Sequence, residues 1–489
     1  RLIHICTMYM QFLQQPGKSG KREKRRDGKM QGEIIRNEKN QKEKMLYSNG
    51  DLKKLIIPLI IEQTLAIAVG MADTIMVSAA GEAAVSGVSL VDTVNILLIN
   101  VFSALATGGA VVAGHYLGQK HKEEASKVAW QILMFASSLA LVISIIFIAF
   151  HDGLLRLMFG QIEADVMQSA KTYLIITAIS FTGLAIYNSC AAIFRAMNNA
   201  RVTMWISLLI NAVNLIGNTI CIYGLKWGVA GAAIPTTVSR YVGAIVILVM
   251  MFNPTRDINF CGQVRFRFNP VLIKRILYIA VPNGLENSMF QLGKILVLSV
   301  VSTMGTSAIA ANATANTLAN WNILFGSAIN LGLVSVSAVC IGAGEIEQTR
   351  YYTRKMMKIA IALTSLMSVI LFVSVPVLVK LYNLGLEASQ MAIEVMRFHN
   401  IMAILFWVPS FTIPNTLRSA GDVIGTMIIA IFSMWVFRIG AAYLFTYVFH
   451  LGLLGVWAAM VVDWIFRAIC YVIRYRGHRW ETAMQRQRA

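Results

Sequence analysis

The chain is short of charge: Asp, Glu, Lys and Arg make up 14% of its 489 residues, against roughly a quarter in a soluble domain. With 57% hydrophobic residues and a mean hydropathy of +0.63, that shortage excludes a water-soluble globular protein and leaves an all-α polytopic membrane protein. Its six cysteines (Cys6, Cys190, Cys221, Cys261, Cys340 and Cys470) show no CxxC spacing, so neither a disulfide framework nor a zinc site is implied. GxxxxGK[ST] is missing too. The stretch from Gly114 to Lys120 reads GHYLGQK and lacks the glycine and hydroxyl positions of a phosphate loop, which argues against ATP-driven work by this chain alone. No constellation supports enzymatic activity.

Charge is concentrated at the ends and in short loops. Residues 1–54 hold fourteen Lys/Arg and six Asp/Glu, or +8 of the net +19. Aromatics are not interleaved with these charges, so anchoring at the cytoplasmic face explains them better than nucleic acid does. Residues 1–50 read as a basic, disordered extension with too little apolar surface to bury. They are not a signal peptide, since the following apolar run continues to full spanning length without a small-residue cleavage site. Met45 is the tidiest of three plausible starts, the others being Met8 and Met30.

Twelve apolar periods of spanning length follow, at about 52–78, 87–114, 127–150, 166–192, 202–224, 230–252, 273–303, 308–342, 357–379, 391–414, 423–448 and 454–474. Loops on the side of the basic arm carry fifteen Lys/Arg, Arg195 and Arg418 among them, and the opposite loops five. Both termini are therefore expected in the cytoplasm. A shift of 224 residues aligns the halves: Pro58-x-x-x-Glu62 falls on Pro282-x-x-x-Glu286, and Tyr223…Gly228-x-x-Gly231 on Tyr447…Gly452-x-x-Gly455. A shift of 223 sets FRAMNNARVTM on LRSAGDVIGTM, and Arg195 on Arg418. The offset spans an even number of helices. The expectation is two six-helix lobes, 51–252 and 273–475, related by a pseudo-twofold axis along the membrane normal. A basic linker, 253–272, joins them, and a basic cytoplasmic tail, 476–489, follows.

The first helix carries two acids at spanning depth, Glu62 and Asp73, and an intramembrane carboxylate is a functional candidate by default. Eleven residues apart, they share a face within about 20° and differ in depth by about 16 Å. Asn188, Asn211, Asn214, Asn218 and Thr236 stand at similar depth on other helices of the first lobe. Their oxygens, with Asp73, suit a hard cation such as Na+, and a desolvated carboxylate suits a proton; interhelical hydrogen bonding is the competing explanation for each Asn. Glu62 has a repeat partner in Glu286, whereas Asp73 falls on Val297. The paired glutamates are thus candidates for substrate contact or gating, and Asp73 for the coupling ion. Lys294, eight residues from Glu286, joins the glutamates as a candidate for substrate contact or gating, with a structural ion pair as the competing explanation. Arg438 falls on or beside the position of Asn214, and Asp463 with Arg467 makes an i, i+4 pair; these three read as a structural charge cluster. Tyr187, Phe290 and Trp407 are candidates for an adaptable lining.

Four stretches carry a family resemblance: MADTIMVSAAGEAAVSGVSL, GGAVVAGHYLGQKHKEEA, FRAMNNAR and VAGAAIPTTVSR. Over residues 50–475 the chain resembles a prokaryotic member of the multidrug and toxic compound extrusion family. The resemblance implies export of cationic or amphipathic drugs across the cytoplasmic membrane in exchange for Na+ or H+, by a monomer with no cofactor beyond that ion. It makes Asp73 the central ion-linked acid, and a metal ligand if the ion is Na+. Several prokaryotic members add an Asn-x-x-x-Asp pair on the fifth helix; here Asn214 matches and Asn218 stands in place of the aspartate. A lipid-linked glycan flippase of similar architecture is the alternative. Its cavity would be lined mainly by Arg and Lys, whereas helices one and seven present Glu62, Asp73 and Glu286 against Lys294.

Overall fold

An apolar segment in lipid must satisfy its own backbone hydrogen bonds, and only a helix does so within one segment. The computed structural model describes residues 45–160, 162–477 and 479–488. The expected extension over residues 1–44 lies outside them. Twelve helical rods follow: α1 (Asn49–Ser78), α2 (Glu82–Gly118), α3 (Lys122–Ala149), α4 (Ala164–Ile179 with Phe181–Ala196), α5 (Ala200–Gly224), α6 (Ala230–Met251), α7 (Pro270–Ser302), α8 (Thr306–Ala343), α9 (Ile346–Lys380), α10 (Leu386–Ser419), α11 (Val423–Val448) and α12 (Gly452–Arg476). Short helices His151–Phe159 and Arg479–Arg488 accompany them. Ten rods are apolar enough to span by themselves and bent α4 makes eleven. The twelfth, α7, is 33 residues long and less apolar because Asn283, Glu286, Asn287 and Lys294 line a cavity.

Most rods run a turn past their apolar stretch. Ser48 caps α1 in a capping box with Asp51, which satisfies end N–H groups that the apolar run cannot. The largest extension is in α9, which starts at Ile346 rather than at 357. Its added turns are charged outside but bury Tyr352 and Met356, so packing holds them helical.

The repeat survives in the irregularities. α4 bends by 47° at Ser180, and at the corresponding place α10 opens into a π-helical stretch, Ala403–Trp407. The π-helical end of α5, Thr219–Gly224, has its counterpart in Leu444–Val448 of α11. Such wide turns commonly sit beside functional groups.

The lobes meet where α2 packs on α7 and α8, and where α8 packs on α1. Each of these N-to-C contacts has its mirror in the repeat. On the axis, a Cβ at Gly114 would meet the Ala338 Cβ at 2.8 Å, one at Gly118 would run into the Val339 carbonyl, and one at Gly342 into the His115 backbone. These are repeat mates: 114 with 338, and 118 with 342. The GHYLGQK stretch, unfit for nucleotide, is a small-residue helix crossing. His115 Nε2, 2.8 Å from the Ser419 carbonyl oxygen, completes a seal on the side of the basic loops.

The segment between lobes is bound to α3. Ile258 and Phe260 are buried, Trp130 Nε1 donates to the Arg265 carbonyl (3.1 Å), and Gln131 Nε2 to that of Arg267 (2.9 Å).

Candidate functional site

Two polar places in the apolar interior hold the candidate residues. The first lies within the first lobe, where α1 and α5 run side by side in the same direction. Both acids of α1 face α5, as their eleven-residue spacing requires. Glu62 Oε2 accepts from Thr203 Oγ1 at 2.8 Å and Asp73 Oδ1 accepts from Asn218 Nδ2 at 2.9 Å. The Asn214 amide lies 2.8 Å from Asp73 Oδ1. With its nitrogen toward the carboxylate it donates to Asp73 and its oxygen accepts from Thr236 Oγ1, 3.0 Å away. Turned over, its nitrogen donates to Thr236 at 3.0 Å and two oxygens confront each other, an arrangement that needs a proton or a cation between them. Asn218 Oδ1 is buried with no partner.

Asp73, Asn214, Asn218 and Thr236 are thus brought together. Asn188 is not part of that cluster; it lines the central cavity. Asn211 Nδ2 is buried without a partner. Two neighbours escaped the sequence reading. Asp92 on α2 accepts from Asn95 at 3.2 Å and faces Tyr173. Arg240 on α6 donates to Ser180 Oγ at 2.7 Å and sits near both Asp73 and Asp92. The rule that singled out Asp73, an ionisable side chain at spanning depth, applies equally to Asp92 and Arg240.

The second place is a cavity of about 690 Å³ between the lobes. Glu62 and Glu286 both line it, and each meets its own lobe's arginine: Arg195 Nη1 to Glu62 Oε1 is 3.5 Å and Arg418 Nη2 to Glu286 Oε1 is 2.6 Å. These two arginines, expected in loops, instead belong to the last turns of α4 and α10. The halves' alignment of Arg195 on Arg418 carried the signal, because repeat-related glutamates and arginines make repeat-related pairs.

The cavity wall of the second lobe is basic and aromatic. Asp463, fully buried, lies 2.7 Å from Arg467 Nε and 3.6 Å from Arg438 Nη1, so the expected cluster forms but holds two cations to one acid. Lys294 makes no ion pair among the described residues and instead lies 5.1 Å from the Phe290 ring centre. Trp407 stacks on Phe411 at 5.1 Å. Tyr187, Phe290 and Trp407 all line the cavity.

A family model described as MatE matches the chain twice, over residues 58–220 and 282–444. The two matches are separated by the 224-residue repeat offset. The chain is 28% identical to the "Uncharacterized transporter YisQ" of Bacillus subtilis (strain 168), over 88% of this chain and 94% of that protein. It is 25% identical to the "Probable multidrug resistance protein NorM" of Thermotoga maritima, over 90% of this chain and 95% of that one. Among solved structures, one described as the outward-facing conformation of a multidrug resistance MATE family transporter of the MOP superfamily superposes with a TM-score of 0.83. It has 22% identity and the match covers 89% of this chain and 96% of that one. At that identity the likeness shows the fold.

Proposed function

The chain belongs to the MatE family, and from that premise we propose that it is a secondary antiporter of the cytoplasmic membrane, exporting drug-like organic molecules in exchange for inward Na+ or H+. It is a multi-pass membrane transporter and not an enzyme. The observation that carries the coupling is the oxygen cluster at Asp73. One carboxylate, two amide oxygens and the Thr236 hydroxyl suit a hard monovalent cation, and Asn218 Oδ1 stands buried without a partner among them. A proton on Asp73 would satisfy the turned-over Asn214 equally well. Either ion would hold α1 against α5, and Glu62 rides on the same helix.

An organic cation entering the cavity finds Glu62 and Glu286 already paired, so it would compete with Arg195 and Arg418 for them. That competition offers a way for substrate to loosen both pairs. The basic loops and the sealed Gly118–Gly342 crossing would face the cytoplasm, with both termini on that side, and the unit would be a monomer. The glycan-flippase alternative is not favoured, since the similar proteins described as multidrug transporters match over nearly their full length.

The test is uptake of ethidium into everted membrane vesicles under a Na+ gradient alone and then a proton gradient alone. One gradient should drive uptake in the wild type and neither in Asp73→Asn. Uptake driven by neither in the wild type, or undiminished in Asp73→Asn, overturns the proposal.

A further inference from the structure

The second lobe's wall carries positive charge that the protein itself does not answer. Lys294, Arg438 and Arg467 gather about the Phe290 ring at 5.1, 4.9 and 5.8 Å, and all four side chains line the cavity. Among the described residues Asp463 alone lies within ion-pair distance of any of these cations, touching Arg467 and Arg438. Lys294 has no carboxylate within that distance. The acids that line the cavity are Glu62, paired with Arg195, and Glu286, paired with Arg418 through Oε1. Lys294 is exposed to the cavity, and the charged group that acts on it is another cation, Arg438.

A second, independent sign comes from Trp464. Its indole N–H can only donate, the residue is 3% exposed, and it lines the same cavity, yet Nε1 has no acceptor. A buried donor left without an acceptor is costly, and native structures usually supply one. An ammonium, two guanidinium groups and an indole N–H therefore face the cavity from one wall, where Asp463 behind them is the one carboxylate in ion-pair reach among the described residues.

We propose that this wall is a subsite for the acid group of an organic anion, a carboxylate or sulfonate carried on an aromatic body. Charge-assisted bonds from Lys294 and Arg438 would hold the acid, and the Trp464 N–H would complete its coordination. The stacked Trp407 and Phe411 rings would receive the apolar body. The proposal rests on the exporter reading of the cavity and adds organic acids and zwitterions to its substrates. In a zwitterion the ammonium end would be left to compete for Glu286 or Glu62. A purely cationic molecule would meet repulsion on this wall.

The test uses the full chain in phosphatidylcholine nanodiscs and isothermal titration with three matched probes: naphthalene-2-carboxylate, naphthalene-2-carboxamide and 2-naphthylmethylammonium. The carboxylate should bind at least tenfold tighter than either of the others. Lys294→Gln should cut carboxylate binding at least fivefold while amide binding stays within twofold, and Lys294→Arg should restore it. Equal binding of acid and amide, absence of acid binding, tighter binding of the ammonium, or an acid preference intact in Lys294→Gln overturns the subsite. Displacement of the carboxylate by inorganic phosphate at equal concentration also overturns it, since the wall would then hold any small anion. Ethidium transport under ion gradients is read separately: ion-driven transport without acid preference sinks the subsite alone, and acid preference without ion-driven transport sinks the antiporter reading alone.

Discussion

Set one on the other by the 224-residue offset, the lobes keep their mechanics and exchange their polarity. Glu62 and Glu286 are each paired with an arginine, and the axis crossing is built from mates, Gly114 with Ala338 and Gly118 with Gly342. The chemistry between these shared parts has diverged. Asp73 falls on Val297, Asp92 on Asn316 and Asn214 on Arg438, while Gly70 falls on Lys294 and Ser239 on Asp463. One lobe has gathered acids and amides, and the other cations and rings. On the proposed reading, the duplicated structure would serve motions that both halves share, while each half would specialise in one kind of ligand.

The comparison breaks most violently at Asp463. It is fully buried and touches two arginines, so Asp463→Asn leaves both without a carboxylate. The expected loss is about 3–5 kcal/mol, the usual cost of breaking a buried pair, read as a lower unfolding midpoint in detergent. Its first-lobe mate, Ser239→Ala, should cost under about 1 kcal/mol. Next comes Asp73→Asn, an isosteric change that should lower ion-driven efflux roughly a hundredfold, the scale of one lost charged interaction. Its unfolding midpoint should stay within a few degrees of wild type. Loss of efflux accompanied by collapse of stability would make Asp73 structural instead.

The glutamates probe what the lobes share. Glu286→Gln should cost about 1–2 kcal/mol and Glu62→Gln somewhat less, because the first pair is the closer, at 2.6 Å against 3.5 Å, and both are partly open to the cavity. Removing the matching arginine as well should recover part of each loss, which a double-mutant cycle on unfolding would measure. Glu62→Gln should also change which substrates are carried while ion dependence persists, unlike Asp73→Asn. Identical transport defects from the two changes would refute the division of roles along α1.

The fold was largely legible. Apolar length set all twelve rods, because lipid permits the backbone no alternative, and the repeated Pro-x-x-x-Glu and Arg positions announced the duplication. The ends were harder to read, since the turns beyond the bilayer are held by packing, as at Tyr352 and Met356, and not by hydropathy. The Asp73 cluster could be assembled because its members share depth and polarity. Arg195 and Arg418 were hidden by their place at the ends of apolar runs, where an arginine in a loop and one turned into a cavity look alike. The imbalance of the second lobe was hidden for a different reason. Asp463 and Arg467 are visibly paired four residues apart, but that Lys294 and Arg438 converge on Phe290 from other helices is a tertiary fact.

The smallest predicted effect sharpens the polarity difference at Asn218, where this chain departs from the Asn-x-x-x-Asp pair on the fifth helix. Asn218 donates to Asp73 at 2.9 Å, so Asn218→Asp would set two carboxylates side by side. Like charges so placed raise the proton affinity of one of them and attract a cation more strongly. If Na+ is the coupling ion, its apparent affinity in transport should rise about tenfold, equal to one pKa unit of interaction. If the proton is, half-maximal transport should move to higher pH by about one unit, because the paired acids hold a proton to higher pH. The mirror change, Ala442→Asp in the second lobe, should do neither, since no carboxylate stands at Val297 to share the ion. An unchanged ion dependence in Asn218→Asp would mean that the ion does not bind between α1 and α5, and the first lobe would lose the specialisation that its acids suggest.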